Sequence, residues 1–134
     1  AIVCGGDNRT CGFRIVGEKS SLRLENRMPS SDANPYLAFA AMLAAGLDGI
    51  KHELTCPDPL NNVNIWNLDE QERKERGIDS LPGSLAEAMY EFEKNQVIKD
   101  ALGDMIVEVF QRAKWAEVEE YRTRVTDWEV RRYL

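Results

Sequence analysis

The chain has 134 residues, 30% charged and 43% hydrophobic, and its 17 basic against 23 acidic side chains give a formal net charge of -6. That length and balance fit a soluble globular domain and argue against a general nucleic-acid binder, which carries a basic excess or patch. The longest apolar run, Tyr36 to Leu47, is too short to cross a bilayer, so no membrane partner is expected. Cys4, Cys11 and Cys56 are odd in number and lack CxxC spacing, which argues against a zinc site or disulfide framework and for a reducing, cytoplasmic setting. His52 is the one histidine and reads as a surface or helix-end residue.

The opening, "AIVCGGDNRT", reads like the middle of a longer chain. "CGFRIV" (residues 11–16) is apolar and β-prone around one arginine and predicts a strand. "GEKSS" is a turn by composition. Residues 22–27 alternate with period two, which predicts a second strand antiparallel to the first. Leu22, Leu24 and Asn26 point one way, and Arg23, Glu25 and Arg27 the other.

After the loop "MPSSDANP", Asn34 is placed to cap a helix with Pro35 in its first turn. Tyr36 to about His52 is apolar or small on nearly every side, which predicts a helix buried all round and covering structure from elsewhere. Residues 55–67 read as a long surface loop, and "DEQERKERG" as a short charged helix ending at Gly77. Ser84 and Glu87 form a capping-box pattern before a helix with a Leu85, Ala88, Met89 and Phe92 stripe. One or two further turns run from Gln96 to Leu102, with Gly103 as the stop. Asp104 is placed to cap a long amphipathic helix to about Arg124, with Ile106, Val109, Phe110, Ala113, Val118 and Tyr121 near one face. Thr126 and Glu129 form a second box, with Val125 and Val130 set for a hydrophobic staple.

The candidate chemistry lies in the first segment. Arg9, Arg14, Arg23 and Arg27 on adjacent strands repel one another unless something anionic sits among them, and Glu25 lies in their row. Arginine's planar fork suits both polyphosphate and carboxylate. A lone carboxylate there either pairs with the arginines or ligates Mg²⁺, which takes only one or two protein carboxylates. The alternative is a solvated salt-bridge row of little consequence, and spacing alone does not decide.

The motifs "NRTCGFRI", "RLENR" and "ANPYLAFAAMLAAGLDGIK", followed by "LPGSLAEAM", "ALGDMIVEVF" and "RVTDWEVRRYL", resemble the C-terminal third of the catalytic domain of glutamine synthetase, type I. The resemblance runs over essentially the whole chain. It implies an α+β fold: short antiparallel strands from a larger curved sheet, then a mainly helical region. Residues 1–30 would carry the site, residues 34–134 the helices, and residues 125–134 an inter-ring strap anchored by Trp128, Val130, Tyr133 and Leu134. The strap's alternative is a terminal helix packed on its own subunit.

The resemblance implies an ATP-dependent glutamate–ammonia ligase acting through γ-glutamyl phosphate, as a homo-oligomer of two stacked hexameric rings. Arg9 would reach the transferring γ-phosphoryl group, and Arg14 and Arg23 would hold ATP phosphates. Glu25 would ligate Mg²⁺ or Mn²⁺, and Arg27 would clamp a glutamate carboxylate. Lys19 joins the ATP contacts, although its loop is shorter than in some relatives. The other metal carboxylates, a metal histidine and the ammonia-side glutamate would precede residue 1, so the isolated chain is expected to be inactive.

Trp66, in "NIWNLDEQER", stands where adenylylated members carry a tyrosine, which points to the feedback-regulated subdivision. The rival readings are a γ-glutamyl polyamine or methylamine ligase and a non-catalytic structural relative. The five charged residues are present, which counts against the latter.

Overall fold

Three short strands carry the charged row, where the sequence predicts two. The computed structural model describes residues 1–134, and β1 (Cys4–Gly6), β2 (Phe13–Val16) and β3 (Arg23–Asn26) form one sheet in that order. β2 and β3 are antiparallel as expected, with Arg14 opposite Glu25 and Val16 opposite Arg23. β1 is the addition. It runs parallel to β2 and places Gly5 opposite Arg14. Its Cys-Gly-Gly sequence has neither alternation nor β-branched residues, so periodicity could not reveal it. Gly5 is needed there: a Cβ would lie 2.8 Å from both Cys11 Sγ and the Leu60 carbonyl oxygen. β2 starts two residues later than expected because Cys11 turns into the core.

Residues 1–81 and 82–134 form two compact units. In the first, Cys11, Ile65 and Ile78 are buried, with Val3, Leu60, Val63 and Leu68 packed around them. Ile65 corrects the expected surface loop over residues 55–67. A 3-10 turn at Ile65–Asn67, capped by the Asn64 side chain, drives this side chain inward to 1% exposure.

Helix α1 (Pro35–Lys51) starts as predicted, with the Asn34 side chain accepting from the Tyr36 and Leu37 amides. Its expected burial does not hold. None of its residues is buried, and Tyr36 and Leu43 are 84% and 68% exposed. An apolar helix loses its exposure only against a second layer, and residues 1–81 provide none over it. The short helix α2 (Glu70–Glu75) has a complete capping box from Asp69 and Glu72 and is followed by Gly77 at φ 63°.

The second unit is helical: α3 (Leu85–Lys94), α4 (Gln96–Leu102), α5 (Asp104–Thr123) and α6 (Asp127–Tyr133). The Ser84 box is half formed. Ser84 Oγ accepts from the Glu87 amide, but the Glu87 carboxylate returns to the Gly83 amide, one residue earlier. Gly103, at φ 80°, ends α4 and is also the N-cap of α5. Asp104 is therefore the first helical residue and not the cap, and its charge still faces the positive end of the helix dipole.

Met89, Val107 and Val118 are buried, and Tyr90 packs on Trp115 and Phe92 on Phe110 with ring centroids 5.1 and 5.3 Å apart. Ile106, Val109 and Tyr121, expected on the inner face of α5, stay largely exposed. The inward stripe runs through Val107, Phe110 and Val118, set by the aromatic pairs with α3. In the tail the Thr126–Glu129 box is complete. The Val125–Val130 staple covers little, because both side chains remain exposed. Trp128 and Tyr133 meet edge to face, 6.2 Å between centroids.

Candidate active-site segment

The antiparallel register of β2 and β3 decides the geometry. Directly opposed residues project to the same face, so Arg14 and Glu25 meet: Arg14 Nη1 lies 3.2 Å from Glu25 Oε2. Two residues along, Arg27 Nη1 reaches the same oxygen, also at 3.2 Å. Glu25 thus bridges two guanidiniums. Both donate to its charged form and hold its carboxyl below the usual glutamate range.

Arg14 has a second acidic partner that sequence reasoning missed. Its Nε donates to Asp7 Oδ1 at 3.0 Å, and its Nη2 pairs with the same oxygen. Asp7 follows β1 with a left-handed backbone, φ 49°, which aspartate tolerates better than most residues. That turn brings its carboxylate back over β2. The signal was an acidic residue just before Asn-Arg, but it has meaning only once β1 is known to lie beside β2. The two carboxylates raise the Arg14 pKa above its ordinary value.

Asn8 is the other missed contributor. Its Nδ2 donates to the Leu60 and Val63 carbonyls at 2.7 and 2.8 Å, and its Oδ1 accepts from the Thr10 amide and hydroxyl. It ties the loop after α1 to the end of β1. The Gly6 amide donates to Asn61 Oδ1 at 2.7 Å and adds a second tie. Beside these bonds is an open cavity of about 630 Å³, with Arg9, Arg14 and Thr10 on one side and Asn62, Val63 and Asn64 on the other.

The structure brings together Arg14, Glu25 and Arg27 through ion pairs, and Arg9 and Arg14 through that cavity. Arg23 lies on the Glu25 face of β3 but donates only to the Ser21 carbonyl, at 3.4 Å. Arg9 and Arg23 have no acidic partner. Lys19 sits exposed in the 3-10 turn Lys19–Ser21 with no side-chain partner, and is not drawn into the cluster. The excess of guanidinium over carboxylate fits an anion. A divalent cation also fits the donor set in part: Glu25 Oε1 accepts no hydrogen bond, while Oε2 takes both arginines. No group of three or more acidic, His or Cys side chains gathers as a full coordination set, so Glu25 fits as one ligand among oxygen donors from elsewhere.

The family model for the glutamine synthetase catalytic domain matches residues 1–133. The chain belongs to the glutamine synthetase catalytic-domain family. It is 45% identical over 134 residues to the glutamine synthetase of Methanocaldococcus jannaschii, covering 99% of this chain and 29% of that relative. It is 47% identical over 128 residues to that of Thermotoga maritima, covering 95% and 29%. Among solved structures, GmaS in complex with ADP superposes with a TM-score of 0.79 at 33% identity, covering 98% of this chain and 28% of that one. GmaS without ligand gives 0.77 at 35% identity. The chain thus spans less than a third of the length of the glutamine synthetases it matches, and it has the α+β fold of these neighbours.

Proposed function

We propose that these residues form the phosphate- and carboxylate-binding part of an ATP-dependent glutamate–ammonia ligase that works through γ-glutamyl phosphate. The single observation that carries this reading is the charged cluster of β2 and β3, in which Glu25 is shared by Arg14 and Arg27, together with Arg23 on β3 and Arg9 in the turn after β1, both left without acidic partners. Membership of the family supports it.

In this reading Arg9 and Arg23 supply positive charge to the ATP phosphates, Arg9 nearest the transferring group. Arg27 holds the glutamate carboxylate, and Glu25 offers Oε1 to Mg²⁺ or Mn²⁺. A divalent cation held there would neutralise phosphate charge. Arg14, committed to Asp7 and Glu25, keeps Glu25 ionised and fixes its direction while it flanks the phosphates. Lys19 is a peripheral ATP contact. Catalysis here is positioning and preorganised electrostatics, since the developing charge is spread over phosphoryl oxygens.

The setting is cytoplasmic and the working form a homo-oligomer of two stacked hexameric rings, with residues 125–134 as the strap between rings. Trp128 and Tyr133, exposed and paired with each other at the tail, supply its apolar anchors.

The test is a chimera in which residues 1–134 replace the aligned segment of the Methanocaldococcus jannaschii enzyme. Phosphate release from ATP that requires both glutamate and ammonium is the expected result. A chimera that assembles and binds ATP like its parent, yet releases no glutamate-dependent phosphate, overturns the reading.

A further inference from the structure

Two thiols far apart in sequence meet beside the candidate site. Cys4 opens β1 and is buried, and Cys56 lies exposed in the loop after α1. Their Sγ atoms are 3.2 Å apart across a sequence separation of 52. A disulfide needs about 2.05 Å between sulfurs, so closure asks for a shift of only about 1 Å. Cys11, the third cysteine, packs instead against Ile65 and Ile78 in the core.

The loop that Cys56 begins is the one that walls the Arg9–Arg14 cavity. It returns to β1 through the Leu60 amide, which donates to the Cys4 carbonyl at 2.9 Å, and through Asn61, which accepts from Gly6. It then presents Asn62, Val63 and Asn64 to the cavity.

We propose that Cys4 and Cys56 are a reversible thiol–disulfide couple, oxidised by a small disulfide such as glutathione disulfide, that fastens the cavity-wall loop to β1. The exposed Cys56 thiol gives its proton to water, and its thiolate attacks one sulfur of the oxidant. The oxidant's S–S bond breaks, and the released thiolate takes up a proton. Cys4 then loses its proton and attacks Cys56 Sγ, displacing the second small thiolate, which is protonated in turn. Two cysteine thiols are oxidised, and one small disulfide is reduced to two thiols. Burial, with the hydrogen bond to Cys56, pushes the Cys4 thiol up to about 11. The resolving step is therefore the slower one and speeds up with rising pH. In a reducing compartment the pair rests as dithiol and closes when the small-thiol pool becomes oxidised. Neither cysteine belongs to the proposed ligase site, so the couple stands or falls independently of that reading.

The test equilibrates the 134-residue chain with mixtures of reduced and oxidised glutathione, quenches by alkylation and maps peptides without reduction. The expected result is a Cys4–Cys56 cross-link, reversed by dithiothreitol, retained in Cys11→Ser and lost in Cys56→Ser. Amide exchange at Gly6 and Leu60 should slow about tenfold in the oxidised form, as for any local opening that becomes tethered. A lasting glutathione adduct on Cys56 with Cys4 still free, a Cys4–Cys11 or intermolecular cross-link, or no oxidation at any ratio overturns the couple. A cross-link without slower exchange overturns the fastening of the loop.

Discussion

Arg14 on β2 and Glu25 on β3 stand directly opposite each other, and the Arg14 guanidinium binds Asp7 on its far side while the Glu25 carboxylate binds Arg27 on its own. The result is a chain of alternating charge, Asp7–Arg14–Glu25–Arg27, laid across the three strands. Glu25 is held ionised and aimed from two sides. Removing either arginine leaves the carboxylate with the other, so its charge is more robust than its direction.

Glu25→Gln preserves size and leaves an amide that still accepts from one arginine, but it removes the negative charge. In the chimeric enzyme this substitution should lower kcat about 10²-fold, the scale of losing one preorganised electrostatic partner. The thermal midpoint should hardly move, because the group is half exposed. Activity within a factor of two of the parent chimera would remove Glu25 from the proposed site.

The ion pairs make a pH signature. The Glu25 pKa is lowered in the fold from an ordinary value of 4.5, chiefly by hydrogen bonds from Arg14 and Arg27. A depressed folded pKa means stability that is present above the unfolded value and is lost as pH falls through the folded one. The effect therefore belongs to the acid side, below the usual glutamate range, and neutral pH should be flat. Carboxyl NMR of the 134-residue chain should show Glu25 titrating below the exposed glutamates. In Arg27→Met its midpoint should move up toward them. A Glu25 midpoint among the exposed glutamates would contradict the bridging geometry.

Much of this was legible in the sequence because local signals carried it. Period-two alternation placed Arg23, Glu25 and Arg27 on one face, and Asn34-Pro35 and Thr126 marked helix starts that the structure reproduces. β1 was not legible: three residues of Cys-Gly-Gly become a strand only because β2 offers an edge. Asp7 was lost with it, since its partner is set by that parallel pairing. The Asp104 cap failed for another reason. Gly103 occupies the cap with a positive φ, and a glycine that ends one helix can begin the next. The apolar pattern of α1 was read correctly as a pattern, but burial depends on what is packed against it, and a helix sequence does not carry that information.

Asn8 connects two segments with one side chain. Asn8→Asp replaces a donor that faces two carbonyls, Leu60 and Val63, with an acceptor, so both carbonyls lose their partner beside a new charge. The expected cost is about 2 kcal/mol, the range for leaving partly buried groups unsatisfied. It should appear as a lower urea midpoint together with faster amide exchange at Leu60. An unchanged midpoint would mean that the loop holds through Asn61 and the core alone.

In the helical unit, Trp115 makes two separable interactions: its ring packs on Tyr90, and its Nε1 donates to Glu93 Oε1 at 2.7 Å. Trp115→Phe keeps an aromatic ring and loses the hydrogen bond, for about 1 kcal/mol. Trp115→Ala loses both and should cost about 3 kcal/mol. A double-mutant cycle with Tyr90→Ala should return a coupling of about 1 kcal/mol, the scale of a packed aromatic pair. Zero coupling would show that the rings are near each other without contributing.

Phe39 and Leu43 are four residues apart on α1 and share a face, with 63% and 68% of their surface in water. Surface this apolar and contiguous associates. In the 134-residue chain, Phe39→Lys with Leu43→Lys should therefore shift sedimentation toward monomer and reduce binding of a hydrophobic dye. The unfolding free energy should stay within about 0.5 kcal/mol, as for other exposed positions. The same pair placed in the chimera should behave oppositely. If the additional chain covers α1, two lysines introduce charge into a packed layer and the chimera should lose stability or fail to assemble. Equal tolerance in both settings would mean that nothing covers this helix, and its apolar sequence would then need an explanation other than burial.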